Sequence, residues 1–192
     1  MKKNYRFTAV KLLENKQLSI INHPNSIKNK FFTRKKLVTV ICAAYNAENT
    51  ISKMIESVIN QTLGMENIEL IIVDDCSTDK TTEIIQSYTN SYSNISLVKL
   101  KQNTGTPGIP RNIGIELATG RYISFIDADD WFHPNGLKTL SDILEETGDY
   151  YAVGKTIKVS TNGESIIGEW QSNKERRSVS PFDIPYFFYH MG

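Results

Sequence analysis

The sequence predicts an α/β fold, a mostly parallel sheet with helices on both faces and antiparallel additions after residue 150. Three observations carry that expectation. From Leu37 onward, apolar runs of strand length alternate with segments whose apolar residues recur every three or four positions, and strands alternating with helices fold as βαβ units. The first run, Leu37-Val-Thr-Val-Ile-Cys-Ala-Ala44, is continuous rather than alternating, as a strand buried on both faces requires. Near the end, Thr161-Asn-Gly163 separates two β-rich stretches, and Asn-Gly is a strong hairpin signal.

After the first strand, Ile51, Met54, Ile55, Val58 and Ile59 make one stripe of an amphipathic helix. Ile68-Glu-Leu-Ile-Ile-Val73 is the second strand. Ser77 or Thr78 is expected to cap the next helix, with Ile84, Ile85 and Tyr88 facing inward. Ile95-Ser-Leu-Val-Lys-Leu100 is the third strand, followed by a polar loop from Lys101 to Ile109. Pro110 suits the first position of a helix and Gly120 its exit, with Ile113 and Leu117 turned inward. Arg121-Tyr-Ile-Ser-Phe-Ile-Asp127 is a fourth strand, and Pro134 is expected to open a helix carrying Leu137, Leu140 and Leu144. Residues 150–159 and 165–170 are the two strands of the hairpin.

The 192 residues are 40% hydrophobic and 22% charged, ordinary globular usage that excludes a disordered or collagen-like chain. A chain of this length buries roughly 70% of its unfolded surface and folds without a disulfide or metal staple. Cys42 and Cys76 are too few for a disulfide framework and lack C-x-x-C spacing, so reduced cytosolic thiols are expected. No run approaches the ~18 apolar residues of a membrane span, and no apolar signal core follows the lysine-rich start. The mature protein is therefore expected to begin near Met1 and to be cytoplasmic. Residues 1–36 carry ten basic side chains against Glu14 alone, a charge of +9, and the remainder carries −8. A basic N-terminal arm, 1–36, thus precedes an acidic domain, 37–192. The arm is open between a solvated tail, a segment lying on that domain, and a binder of anionic membrane surfaces or polyanionic polymers.

In open parallel sheets ligands bind at the carboxyl ends of the strands. Those ends read Ala43-Ala-Tyr-Asn-Ala-Glu48, Asp74-Asp-Cys-Ser-Thr-Asp79 and Asp127-Ala-Asp-Asp130, a surplus of carboxylates with only Arg111 placed to answer them. Two like charges ~4 Å apart repel by about 4 kcal/mol at an effective dielectric of 20. A divalent metal relieves this, because carboxylate oxygens suit Mg²⁺ or Mn²⁺ and Mg²⁺ completes its shell with water and substrate phosphates. No Walker loop or G-x-G-x-x-G is present to cradle phosphate, and Gly105-Thr-Pro-Gly108 has the wrong spacing. Tyr45 either packs at its strand end or offers a face to a stacked base. Asp75 offers an acceptor-only edge, which suits the N3–H of uracil and leaves a buried charge unpaired against cytosine or adenine.

Duller roles are expected for several neighbours. Asp74 and Asp79 suit loop or helix-cap acids, and Asp130 is the member of its trio expected to be exposed and structural. Trp131 and Phe132 suit core or wall, and His133 a capping or surface position. Cys42 and Cys76 read as small buried side chains.

Val38-Thr-Val-Ile-Cys-Ala-Ala-Tyr-Asn-Ala-Glu48, Ile71-Ile-Val-Asp-Asp-Cys-Ser-Thr-Asp79, Pro110-Arg-Asn-Ile-Gly-Ile115 and Tyr122-Ile-Ser-Phe-Ile-Asp-Ala-Asp-Asp-Trp131 resemble, in order and spacing, the nucleotide-binding half of family 2 glycosyltransferases with the GT-A (Rossmann-like) fold. The resemblance covers roughly residues 37–150. It implies inverting transfer of a sugar from a UDP-sugar to an acceptor hydroxyl, with Mn²⁺ or Mg²⁺ bound through a D-x-D motif. It places Ala43, Tyr45 and Glu48 in the nucleoside pocket and Asp75 on the uracil edge. Arg111 falls near the diphosphate, Asp127 on the ribose side, and Asp129 becomes the metal ligand. Gly105-Thr-Pro, Pro110-Arg-Asn and Phe187-Phe-Tyr-His-Met-Gly192 look most like the enzymes that glycosylate wall teichoic acid, which would give the arm a polyanionic partner. No nucleic-acid partner is expected.

In the family the catalytic base lies well past D-x-D, and Glu164, Glu169, Glu175 and Asp183 form no acidic motif here. The base is expected beyond Gly192 and the chain is expected to be truncated at its C-terminus. The alternative is a non-catalytic nucleotide-sugar-binding fragment. A phosphoacceptor signalling domain is disfavoured, since the third strand ends in Leu100-Lys-Gln-Asn with no Asp. A dehalogenase-type phosphatase would carry its acids after the first strand.

Overall fold

The computed structural model describes residues 19–21, 36–149, 151–154, 156–159 and 166–170. The chain divides into two compact units, Met1–Leu137 and Lys138–Gly192. In the first unit the elements run β1 (Ser19–Ile21), β2 (Val38–Ala44), α1 (Ile51–Ile59), a 3-10 turn at Met65–Asn67, β3 (Ile68–Asp74), α2 (Thr81–Ser91), β4 (Ile95–Lys99), α3 (Gly108–Leu117) and β5 (Tyr122–Asp127). The sheet order is β1-β4-β3-β2-β5. β4, β3, β2 and β5 are mutually parallel, and β1 joins antiparallel to β4.

β2 and β3 are continuous apolar runs because both their faces are covered. On one face Val38, Val40, Cys42, Leu70, Ile72 and Leu97 pack with Ile51, Met54, Ile55 and Val58 of α1 and Ile85 of α2. On the other, Ile71, Val73, Val98 and Leu100 meet Ile113 and Leu117 of α3. The stripe read from the sequence for α1 is thus its buried face. Two glycines permit close approach: a Cβ on Gly114 would lie 2.4 Å from Ile41 Cγ2, and one on Gly120 would lie 2.5 Å from the Thr39 backbone nitrogen. At the N-terminal edge of the sheet Glu69, itself buried, accepts from Thr39 Oγ1 at 2.7 Å and from the Thr119 N–H at 2.8 Å.

Several local expectations are corrected. α2 begins at Thr81, beyond both Ser77 and Thr78. Ser77 Oγ instead accepts the Asn46 N–H, and Asp79 Oδ1 accepts the Thr81 N–H. α3 begins at Gly108, so Pro110 is its third residue, still within the first turn where its missing N–H costs nothing. α3 ends at Leu117, and Gly120, whose N–H donates to Thr39 Oγ1, lies close against β2 ahead of β5 rather than at the helix exit. The next helix, α4 (Gly136–Thr147), starts two residues after Pro134. β5 lies at the sheet edge, with Ile123 and Phe125 exposed. β1 falls within residues 1–36, which the sequence reads only as a basic arm.

In the second unit β6 (Thr156–Val159) and β7 (Ile166–Trp170) pair antiparallel with each other as the sequence predicts, but among the described residues they form a two-stranded sheet of their own rather than additions to the parallel one, and residues 151–154, expected in the first of these strands, precede it. The Asn162-Gly163 turn, the residues 171–192 and the acids Glu164, Glu175 and Asp183 lie outside the described residues.

Candidate functional site

Register decides which strand ends meet. Ala43 pairs with Val73 on one side and with Asp127 on the other, and Ala44 pairs with Asp74. The loops leaving β2, β3 and β5 therefore begin at one level on one sheet edge. Tyr45, the first residue past β2, is half exposed, as a stacking platform requires, and Ala43 is half-buried beneath it in the chain.

The loops after β2 and β3 are stitched together by hydrogen bonds. The Asn46 side-chain oxygen accepts the Thr78 N–H at 2.9 Å, the Ala47 N–H donates to Thr81 Oγ1 at 2.7 Å, and the Glu48 N–H donates to Asp79 Oδ2 at 3.1 Å. Glu48 Oε2 in turn accepts the Lys80 N–H at 3.0 Å. Asn46 and Cys76 take left-handed backbone conformations, φ 48° and 66°, to make these turns. Burial pushes the Asp79 carboxyl up, but bonds from the Thr81 hydroxyl, the Thr81 N–H and the Glu48 N–H outweigh it and hold Asp79 below the ordinary value. Asp74 is fully buried, accepting from the Ser77 N–H and the Thr82 hydroxyl. Both acids are structural, as the sequence suggests.

Asp75 is nearly buried, and its backbone N–H is fixed by the Ala44 carbonyl at 2.8 Å. Its two carboxylate oxygens straddle the Thr104 N–H, at 2.9 and 3.1 Å, and Oδ2 also accepts from Thr104 Oγ1 at 2.9 Å. Sequence reasoning missed Thr104. Its signal was the turn chemistry of Asn103-Thr-Gly105, where Asn103 Oδ1 accepts the Gly105 N–H and Gly105 has φ 72°.

At the end of β5, carboxylate oxygens of Asp127, Asp129 and Asp130 lie within 4.8 Å of one another, all three residues exposed. Arg111 Nη2, brought in by α3, donates to Asp127 Oδ1 at 2.5 Å. Arg111 Nε is buried, with no hydrogen-bond partner among the described residues. Desolvation, and then the charges of Asp129 and Asp127, hold Asp130 above the ordinary carboxylate range. Cys42 lies below the trio, and burial, reinforced by Asp127, pushes its thiol far up, consistent with an inert core cysteine. An all-oxygen donor set with residual negative charge fits Mg²⁺ or Mn²⁺. Beside the trio, Lys53 Nζ stands 3.2 Å over the Trp131 ring, so a cation covers one face of this partly exposed indole. Phe132 is half-buried against the core, with its N–H donating to Ser57 Oγ, and His133 is exposed with Nδ1 accepting the Asn135 N–H, the wall and surface or capping roles expected, whereas Trp131, expected in the core or wall, is exposed.

The family model described as glycosyl transferase family 2 matches residues 39–191. The chain belongs to that family. Among curated relatives, a poly(ribitol-phosphate) beta-glucosyltransferase of Bacillus spizizenii is 34% identical over 126 residues, 66% of this chain and 20% of that protein. A putative teichuronic acid biosynthesis glycosyltransferase of Bacillus subtilis is 39% identical over 112 residues, 58% of this chain and 43% of that protein. The crystal structure of Staphylococcus aureus TarS 1–349 with UDP-GlcNAc aligns with a TM-score of 0.56 at 34% identity, covering 58% of this chain and 32% of that one. This family 2 chain thus spans less than half the length of these relatives. Together with the parallel sheet, the alignment establishes the GT-A fold expected from the motifs. Among the described residues no helix is long and apolar enough to cross a membrane.

Proposed function

We propose that this chain binds a UDP-sugar and a divalent cation as the donor half of an inverting glycosyltransferase whose acceptor is a hydroxyl on a cell-wall polymer. The observation that carries the proposal is the convergence, on one sheet edge, of an exposed Tyr45, a nearly buried Asp75 and the Asp127–Asp129–Asp130 trio answered by Arg111. Its support from relatives is that TarS is crystallised with UDP and UDP-GlcNAc, and that several relatives are named for poly(ribitol-phosphate) glycosylation.

In this proposal Tyr45 stacks on the base, Ala43 and Glu48 border the nucleoside, and Asp75 accepts from uracil N3–H. Arg111 answers the diphosphate, Asp127 faces the ribose side, and Asp129, with its trio, holds Mn²⁺ or Mg²⁺. When bound, that ion would neutralise charge on the departing UDP oxygen. Transfer breaks the anomeric C–O bond to UDP and forms one to the acceptor oxygen, whose proton passes to a carboxylate base. The base is proposed to lie beyond Gly192. The arm, 1–36, is proposed to hold the protein at anionic polymer or at the cytoplasmic membrane face.

A second reading, a binder without transfer, is favoured by one observation. Among the described residues, the acids at this edge are assigned to loop bonds, to Arg111, to the base or to the metal trio, which leaves none for the acceptor proton. Incubation with labelled UDP-glucose or UDP-GlcNAc, Mn²⁺ and poly(ribitol phosphate) separates the two. Labelled polymer supports transfer, tight donor binding without product supports the binder, and absence of donor binding contradicts both.

A further inference from the structure

We infer that Thr104 is a specificity-determining positioning residue, which aims the Asp75 carboxylate at the base and links base recognition to the arginine at the diphosphate. The inference rests on the uracil-reading role proposed for Asp75. A carboxylate discriminates between bases only if its open lone pair has a fixed direction, because a freely rotating one can turn aside from an acceptor on the wrong base.

Asp75 is held from three directions. Its own N–H is anchored to the Ala44 carbonyl, and the Thr104 N–H straddles both carboxylate oxygens. The Thr104 hydroxyl reaches Oδ2 at 2.9 Å and the Thr106 carbonyl at 3.0 Å, so its single hydrogen lies between the two. Oδ2 therefore takes two donors and Oδ1 one, which leaves Oδ1 the better acceptor for a further N–H.

The same contact reaches the other end of the site. Residues 103–107 are closed on themselves by the Asn103 to Gly105 bond and the Thr106 Oγ1 to Gly108 N–H bond, and they run directly into α3. Arg111, in the first turn of α3, donates its own N–H to the Pro107 carbonyl and its guanidinium to Asp127. A shift of Asp75 therefore moves the lead-in to α3, and Arg111 with it.

The test is calorimetry of the full chain with UDP and CDP in Mn²⁺. Thr104→Val removes the hydroxyl bond and keeps the backbone bonds, Thr104→Ser keeps both, and Asp75→Asn removes the charge. The expected result is a UDP-to-CDP affinity ratio about tenfold lower in Thr104→Val, restored in Thr104→Ser and also lost in Asp75→Asn. Thr104→Ala repeats the measurement should the valine variant not fold. A wild-type ratio in Thr104→Val with the ratio lost in Asp75→Asn would overturn the inference and leave the uracil reading standing. A wild-type ratio in Asp75→Asn would overturn the uracil reading itself. Equal weakening of UDP and CDP in Thr104→Val would reduce the contact to a loop support and also overturn the inference.

Discussion

Arg111 Nη2 and Asp127 Oδ1 are 2.5 Å apart, an ion pair that joins the first turn of α3 to the end of β5. The pair takes Asp127 partly out of the electrostatic problem posed by the acidic trio, because one of its oxygens is already answered. It leaves Asp129 and Asp130 as the acids whose charge is uncompensated by a described ion pair.

Replacing Arg111 by Ala should therefore have opposite effects on two ligands. UDP affinity should fall about tenfold, the worth of one charge-assisted hydrogen bond. Mn²⁺ alone should bind at least as tightly, since Asp127 loses its counter-charge. Titration calorimetry of each ligand checks this, and unchanged UDP affinity would remove Arg111 from the diphosphate.

The bonds Asp79 makes to Thr81 and Glu48 should be visible as a pH dependence of stability. Its folded-state pKa lies below the ordinary 3.8, so its contribution is fully present above about pH 4 and is lost as pH falls through the folded value. Asp79→Ala should lower the urea midpoint at pH 7, and the gap to wild type should close toward pH 3. A gap that is the same at both pH values would contradict the assignment.

Gly120→Ala should destabilise the chain by about 1–3 kcal/mol, because the added methyl meets backbone at Thr39 that cannot turn aside. Gly114→Ala meets the Ile41 side chain, which has some freedom to shift, and should cost less than Gly120→Ala. Chemical denaturation of both variants measures the difference, and the reverse order would contradict the packing described.

Deleting residues 1–36 should abolish salt-sensitive binding to anionic vesicles or polyribitol phosphate, since those residues carry +9. UDP affinity should hold, because Tyr45, Asp75 and Asp129 follow β2, β3 and β5 while β1 pairs with β4 at the opposite edge of the sheet. Vesicle and polymer binding that survives the deletion would make the arm a structural segment only.

The parallel sheet was legible because β2 and β3 are buried on both faces and so lack alternation, and α1 was legible because Ile51, Met54, Ile55 and Val58 share one face. β1 was not, because three residues in a lysine-rich stretch carry no periodicity and owe their strand to the edge of β4. The start of α2 was misplaced because Ser77 and Thr78 are capping types that here bond to Asn46, a partner 31 or 32 positions away. The acidic trio and Arg111 were legible from strand-end position. The ties from Asp75 to Thr104 and from Lys53 to Trp131 were not, because each joins loops or helices whose spacing only the folded sheet sets.

The decisive measurement is the affinity of UDP in Mn²⁺ against UDP in chelator, for wild type and for Asp129→Ala. If the trio at the end of β5 holds the ion that answers the diphosphate, wild type should lose at least tenfold in chelator, about 1.4 kcal/mol, and Asp129→Ala should bind weakly in both. Equal wild-type affinity with and without metal, or full affinity in Asp129→Ala, would contradict a metal-dependent UDP site at this sheet edge.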